Sequence, residues 1–248
     1  MTIQACAEIV QRGDPDRFLA AMAAPVAARR VLFPLYAFNV EVARAPWVTE
    51  EAMIAEMRLQ WWRDALDEIA QGKVVRAHEV TAPLAEVLSA KDADILDKLV
   101  QARRWDIYKD PFEDDAHFSE YLDATSGHLA WVSARAMGVS IGEKAVRDVA
   151  WASGLANWFQ AIPALEAHGR MPLVDGRTDA VRALAEQGLG RLRAARLPKA
   201  AKPAVLAAWQ AKGILKRAQN APHLVAQGGL ETSEFRRRAG LMWRSFWG

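Results

Sequence analysis

The sequence predicts an all-α fold, one domain spanning residues 1–248. Three observations carry that prediction. Ala, Leu, Arg and Glu dominate the chain, and runs of β-branched residues are short. Apolar side chains recur at three- and four-residue steps rather than alternating. Gly and Pro fall between the periodic stretches, leaving connections of roughly two to ten residues, with no fixed-period repeat and no low-complexity linker.

Each element has its own signal. Asp14-Pro15-Asp16 marks a helix start, with proline tolerated in the first turn and carboxylates at the positive helix end. Pro25 opens a helix through Arg44, which Pro34 should kink; Ala45-Pro46 ends it. Thr49, Glu50 and Glu51 start the next helix, which runs to about Gln71 and stops at Gly72. Met53, Met57, Trp61, Leu66 and Ile69 approximate its apolar stripe. Further helices are expected over 80–90, 92–105, 113–137 and 142–166. Gly169, Pro172 and Gly176 make 169–178 a loop, after which helices resume over 179–196, 201–218 and 232–246.

Composition narrows the function classes. With 52% hydrophobic and 25% charged residues the chain is neither disordered, collagen-like nor a coiled-coil rod. A single cysteine, Cys6, excludes an internal disulfide framework and a cysteine zinc cage, and suits a reducing compartment. The most apolar stretch, Phe18 to Phe38, is interrupted by Arg29 and Arg30, so no membrane span is expected, and no secretory leader is read at the start. Charge is segregated. Residues 187–248 hold 12 basic and 2 acidic side chains of the 32 and 30 in the chain, a net of +10 against −8 for residues 1–186. Such a block suits an anionic lipid surface or the acidic half of the chain itself. Arg236-Arg237-Arg238, followed by Leu241, Met242, Trp243, Phe246 and Trp247, fits an interfacial helix or a terminal helix docked in the core. The ten tryptophans are scattered and no base-reading motif accompanies the basic block, so no nucleic-acid partner is expected.

Chemistry-bearing patterns are few. There is no phosphate-binding glycine loop and no Gly-x-Ser-x-Gly elbow, and no two histidines are spaced i, i+4. Asp64 and Glu68 have the spacing that puts two carboxylates on one helix face, where they could hold Mg²⁺, although a solvated face beside Arg63 explains them as well. Asp110 and Asp114 are separated by Pro111, which breaks the helical register, and read as the acidic start of a helix.

Four segments in order resemble the squalene/phytoene synthase family. They are Leu32-Phe33-Pro34-Leu35-Tyr36-Ala37-Phe38-Asn39, Leu59-Gln60-Trp61-Trp62-Arg63-Asp64, Glu120-Tyr121-Leu122 through Ser126-Gly127, and Gly154-Leu155-Ala156 through Gly169-Arg170-Met171-Pro172. The resemblance covers about residues 15–175, and the basic helices of about 179–248 lie beyond it. It implies an isoprenoid-synthase-like helical bundle around a central cavity, in which two aspartate-rich motifs hold Mg²⁺ against a prenyl diphosphate. Here the positions of those aspartates read Ala43, Arg44 and Trp47 in the first motif and Leu165 in the second. Without carboxylates on facing helices Mg²⁺ loses its hard ligands and the diphosphate its electrophile.

Phe38-Asn39-Val40-Glu41 and Met57-Arg58-Leu59-Gln60-Trp61-Trp62 further resemble the aspartate-lacking branch of the family, which includes mitochondrial complex I assembly factor 6. That resemblance implies a protein without catalytic residues, metal or cofactor. It would act by binding: a protein partner at the inner membrane, an anionic lipid surface, or a prenyl or quinone-like ligand. The expected location is cytoplasmic or peripheral on the inner membrane. Tyr36, Asn39, Trp62, Arg63, Asn157 and Gln160 are the expected cavity residues, with core packing and local hydrogen bonds the ordinary alternative for each and above all for Trp62. The alternative function is an active Mg²⁺-dependent prenyltransferase of the phytoene or squalene type, with replacement carboxylates such as Glu41, Glu166 or Asp175.

Overall fold

The computed structural model describes residues 2–230 and residue 241; among these there is helix and turn but no strand. Three helices open the chain: α1 (Ile3–Gly13), α2 (Pro15–Ala23) and α3 (Val26–Arg44). Asp14 caps α2 as its position before Pro15 requires, accepting from the Arg17 backbone N–H at 2.9 Å. Helix α3 runs through Pro34 and ends at Arg44, where Ala45-Pro46 predicts its stop, and a 3₁₀ turn follows at Ala45–Trp47. Helix α1 had no sequence expectation. Thr2 caps it, and Cys6, Ile9 and Val10 form its buried face.

Next come α4 (Ala52–Ala70), α5 (Thr81–Ala85), α6 (Ala90–Ala102) and α7 (Trp105–Tyr108). Gly72 takes φ +65° just past α4, the left-handed stop its position predicted. The buried residues of α4 are Ala55, Leu59, Trp62, Ala65, Leu66 and Ile69, so of the expected stripe Leu66 and Ile69 face the core and Met53 and Met57 do not. Met53 and Met57 are 76% and 67% exposed because small Ala55 takes the inward position of that turn.

The segment expected as one helix over 113–137 is α8 (Asp115–Leu122), a π-helical turn (Asp123–Gly127) and α9 (His128–Ala136). It leads to the central helix α10 (Glu143–Ala167), then α11 (Thr178–Ala194), a 3₁₀ stretch (Lys199–Ala208), α12 (Ala211–Asn220) and α13 (His223–Ala226). The helix expected over 232–246 lies outside the described residues, as does Arg236-Arg237-Arg238. Leu241 is buried with Ala20 and Trp209.

Two large apolar clusters make the core. One joins α1 through α6 to the outer face of α9. The other gathers α8, α10, α11, α12 and α13, with Trp151, Leu155, Phe159 and Ile162 at its centre. Cys6 belongs to the first and has no solvent exposure. Its Sγ lies 3.8 Å from the Glu79 carbonyl, and burial, with Glu79 nearby, pushes its thiol up to about 11. No helix among the described residues is long and apolar enough to cross a membrane.

Candidate functional site

Between the two clusters lies a cavity of about 1140 Å³. Helices α3 and α10 supply its main walls, and each does so with one helical stripe. On α3 the stripe is Asn39, Val40, Ala43 and Arg44, continued by Trp47 in the 3₁₀ turn. On α10 it runs from Ser153 through Asn157, Gln160, Ala161 and Ala164 to Leu165 and His168. These are three- and four-residue steps, so one edge of each helix faces the space along its length. The α1–α2 junction adds Asp14 and Arg17, and the π turn adds Thr125 and Ser126.

At the positions where aspartates were expected the cavity is lined by Ala43, Arg44 and Trp47 from α3 and the turn after it, and by Leu165 from α10. An alkyl group, a guanidinium and an indole offer Mg²⁺ no oxygen. The replacement carboxylates are dispersed. Glu41 pairs with Arg44 at 3.4 Å, Asp175 is gripped by Arg177 at 2.6 Å, and only Glu41 of the three lines the cavity. That grip holds the Asp175 carboxyl down at about 2. Among the described residues no three His, Cys, Asp or Glu side chains are grouped to hold a metal ion. The residues present do not fit a Mg²⁺ cluster.

The charged groups of the cavity are mostly committed to one another. Arg17 pairs with Asp14 at 2.5 Å and Arg103 with Asp106 at 3.1 Å. Tyr121 donates to Asp106 at 2.8 Å and accepts from Arg103 at 2.9 Å. Burial keeps its hydroxyl protonated far above the ordinary range, Arg103 opposing and Asp106 reinforcing the effect. Beside this network the buried Arg170 guanidinium sits 4.8 Å from the Trp47 ring and 5.4 Å from Trp105, and donates to the Asp106 carbonyl. It therefore ties the loop after α10 to both the turn after α3 and α7, through π faces where a carboxylate would be the usual partner.

Of the expected cavity residues, Asn39, Asn157 and Gln160 line it together. Tyr36, Trp62 and Arg63 do not. Tyr36 lies a turn earlier on the same stripe of α3, buried beside a separate void of about 30 Å³, and burial pushes its hydroxyl up to about 12. Trp62 packs edge-on to Phe38 and His78 in the first core cluster. Arg63 leaves the cavity altogether and makes a two-pronged ion pair with Asp97 of α6, at 2.7 and 3.1 Å. For Trp62 and Arg63, neighbourhood in sequence to a family segment does not fix the side of the helix on which they lie. Conversely, Ser126, Ser153 and the Arg103–Asp106–Tyr121 group were not expected there. The step from Ser153 to Asn157 to Gln160 was the one signal that could have found Ser153.

Comparison with known proteins follows the same lines. The squalene/phytoene synthase family model matches residues 10–175, about two thirds of the chain. The chain belongs to the squalene/phytoene synthase family. Within it, the chain is 28% identical over 166 residues to the NADH dehydrogenase (ubiquinone) complex I, assembly factor 6 homolog of Drosophila melanogaster, covering 64% of this chain and 50% of that one. It is 23% identical over 173 residues to complex I assembly factor 6 of Bos taurus, covering 64% and 48%. The chain thus spans about half the length of the curated relatives it matches. A crystal structure of a dehydrosqualene synthase in complex with ligand superposes with a TM-score of 0.77 over 98% of this chain and 95% of that one, at 15% identity. The fold is the helical bundle expected of this family.

Proposed function

We propose that this family member is a non-catalytic binding protein with an assembly-type role for a respiratory NADH dehydrogenase, and that it works with a protein partner at the inner membrane. The observation that carries this reading is that Ala43, Arg44, Trp47 and Leu165, at the places where aspartate motifs were expected, line the cavity without a carboxylate among them. The names of the relatives, complex I assembly factor 6, support the assembly part. The exposed Lys199, Lys202, Lys212 and Lys216 support contact with an anionic lipid surface. The retained cavity supports an isoprenoid-like ligand. Coupling of prenyl diphosphates is the competing reading, and one assay separates the two. Purified protein is incubated with farnesyl or geranylgeranyl diphosphate and Mg²⁺ or Mn²⁺, with pyrophosphate release followed beside calorimetric metal titration. The expected outcome is no release and no metal binding by folded protein; metal-dependent turnover would overturn the proposal. In the source cell, deletion is expected to lower NADH:quinone reductase activity of the membranes, with restoration by the intact gene.

A further inference from the structure

We infer that the outward face of α4, with the turn after α3, α7 and the loop after α10, is a docking surface for a basic, amphipathic helical segment of another protein. This deepens the assembly-type reading and rests on the protein partner that reading requires.

Among the described residues twelve large apolar side chains are exposed, and six of them gather here: Trp47, Val48, Met53, Met57, Tyr108 and Met171. Specific contacts join their elements. Glu56 and Met57 lie three and four residues after Met53, so the three share one face of α4. The Tyr108 hydroxyl donates to Glu56 at 3.0 Å, and Arg104 pairs with the same carboxylate at 2.9 Å, which sets the Tyr108 ring beside the two methionines. The turn carrying Trp47 and Val48 packs on both α4 and α7, and α4 packs on α7. Arg170, between the Trp47 and Trp105 rings, holds the loop of Met171 against the same turn. Large apolar side chains exposed together and rimmed by charge mark contact surfaces. Methionine and aromatic residues are enriched at the centres of protein interfaces, and the unbranched thioether adapts to the partner it meets.

Charge selects the occupant. Glu50 and Glu51 precede α4, and Asp110, Glu113, Asp114 and Asp115 follow α7, kept close to it by Phe112 stacked on Trp105 at 4.0 Å. All six acids are exposed, and among the described residues none is in an ion pair. On the same stretches only Arg58 and Lys109 are exposed cations without a carboxylate; Arg44 is paired with Glu41. An anionic bilayer would be repelled by such a rim. The exposed Lys199, Lys202, Lys212 and Lys216 lie on segments that pack chiefly on α2, α9, α10 and α11, so contact with lipid belongs to another face. A helix with an apolar stripe and basic flanks satisfies both the methionines and the acids.

The probe is a short amphipathic helical peptide of leucine and lysine, with a twin carrying glutamate in place of lysine. Each is labelled with fluorescein and titrated with the intact protein, following anisotropy. Met53→Ser with Met57→Ser should weaken the lysine peptide roughly ten-fold, the effect of withholding part of two methionine side chains from burial. Glu50→Lys with Glu51→Lys should weaken it by a similar factor at low salt, and the difference should shrink as salt is added. The glutamate twin can reach the lysine face, but its binding should be indifferent to the methionine substitutions. All four positions are exposed, and thermal melting checks that both variants fold. Lysine-peptide binding unchanged in the two folded variants would overturn the inference. So would loss of binding to anionic vesicles in the methionine variant, which would give the face to lipid, or a dimer of the parent protein that the same variant loses, which would give it to a second copy. None of these outcomes touches the assembly reading. That reading falls instead if deletion of the gene leaves NADH:quinone reductase activity normal, whatever the peptide does.

Discussion

His128 opens α9 directly after the π turn, and its Nδ1 is buried without a partner. Burial, with Arg147 second and Lys98 adding to it, pulls its ionisation down to about 4 from an ordinary 6.5, against a smaller opposing effect of Asp123. The sign of the pH effect follows. Between those two values the unfolded chain carries a proton that the folded chain refuses, so stability is complete above about pH 6.5 and declines as pH falls towards 4. The slope is at most about 1.4 kcal/mol per pH unit for one group. Melting temperatures at pH 7 and pH 5 should therefore differ less in His128→Gln than in the parent. An equal difference would show that other groups carry the acid sensitivity. Such residues are hard to see in sequence. His128 stood there as one of five scattered histidines, and its environment is made by Lys98, Asp123 and Arg147 from three other places in the chain. The same holds for Arg63, whose partner Asp97 is 34 residues away. Asn157 and Gln160 were legible because polar residues on an otherwise apolar helix are conspicuous within their own element, and Asn39 through the resemblance of its segment to the family.

Elements were readable where local chemistry decides them. Asp14-Pro15 and Gly72 punctuate α2 and α4 as their cap and left-handed roles require. The misses arise where neighbours decide. The π turn puts an extra residue into the helical path where α10 crosses it, and nothing in Asp123-Ala124-Thr125-Ser126-Gly127 signals that by spacing. The crossing is close: a Cβ built on Gly154 would lie 2.5 Å from Ser126 Oγ and 3.0 Å from Ser126 Cβ. Gly154→Ala thus sets two effects against each other. Helix propensity favours alanine by about 1 kcal/mol, while overpacking at a tight crossing costs about 1–3 kcal/mol. A net loss of about 1 kcal/mol is expected from these ranges, seen in chemical denaturation as a lower midpoint at unchanged slope. A stabilised variant would mean that Ser126 swings aside at no cost. The 3₁₀ stretch Lys199–Ala208 had been expected as part of an α-helix over 201–218; Pro203 lies inside it and has no N–H for an α-helical bond.

At the scale of the whole molecule, family and bundle were legible because they rest on many positions at once, whereas the extent of the cavity depends on how two distant helices face each other. Charge segregation was legible too, and the structure shows part of it spent internally: Arg191 pairs with Asp148 at 3.2 Å and covers the Trp151 ring at 4.2 Å. Lys199, Lys202, Lys212 and Lys216 remain exposed. We expect the protein to sediment with vesicles containing anionic lipid at low salt. It should be released as added salt shortens the screening length from about 10 Å at 0.1 M to about 3 Å at 1 M. Replacing the four lysines by glutamate should abolish the effect; equal binding to purely zwitterionic vesicles would speak against a charge-driven contact. The sealed thiol of Cys6 gives the molecule one more property. As the sole sulfhydryl of the chain, wholly covered and resistant to ionisation, it meets an alkylating reagent only when α1 lifts from its neighbours. The mass gained over time by the unaltered protein is then a clock for breathing of its N-terminal half. A ligand in the cavity, whose wall includes Ile9 and Gly13 of that same helix, should slow the clock.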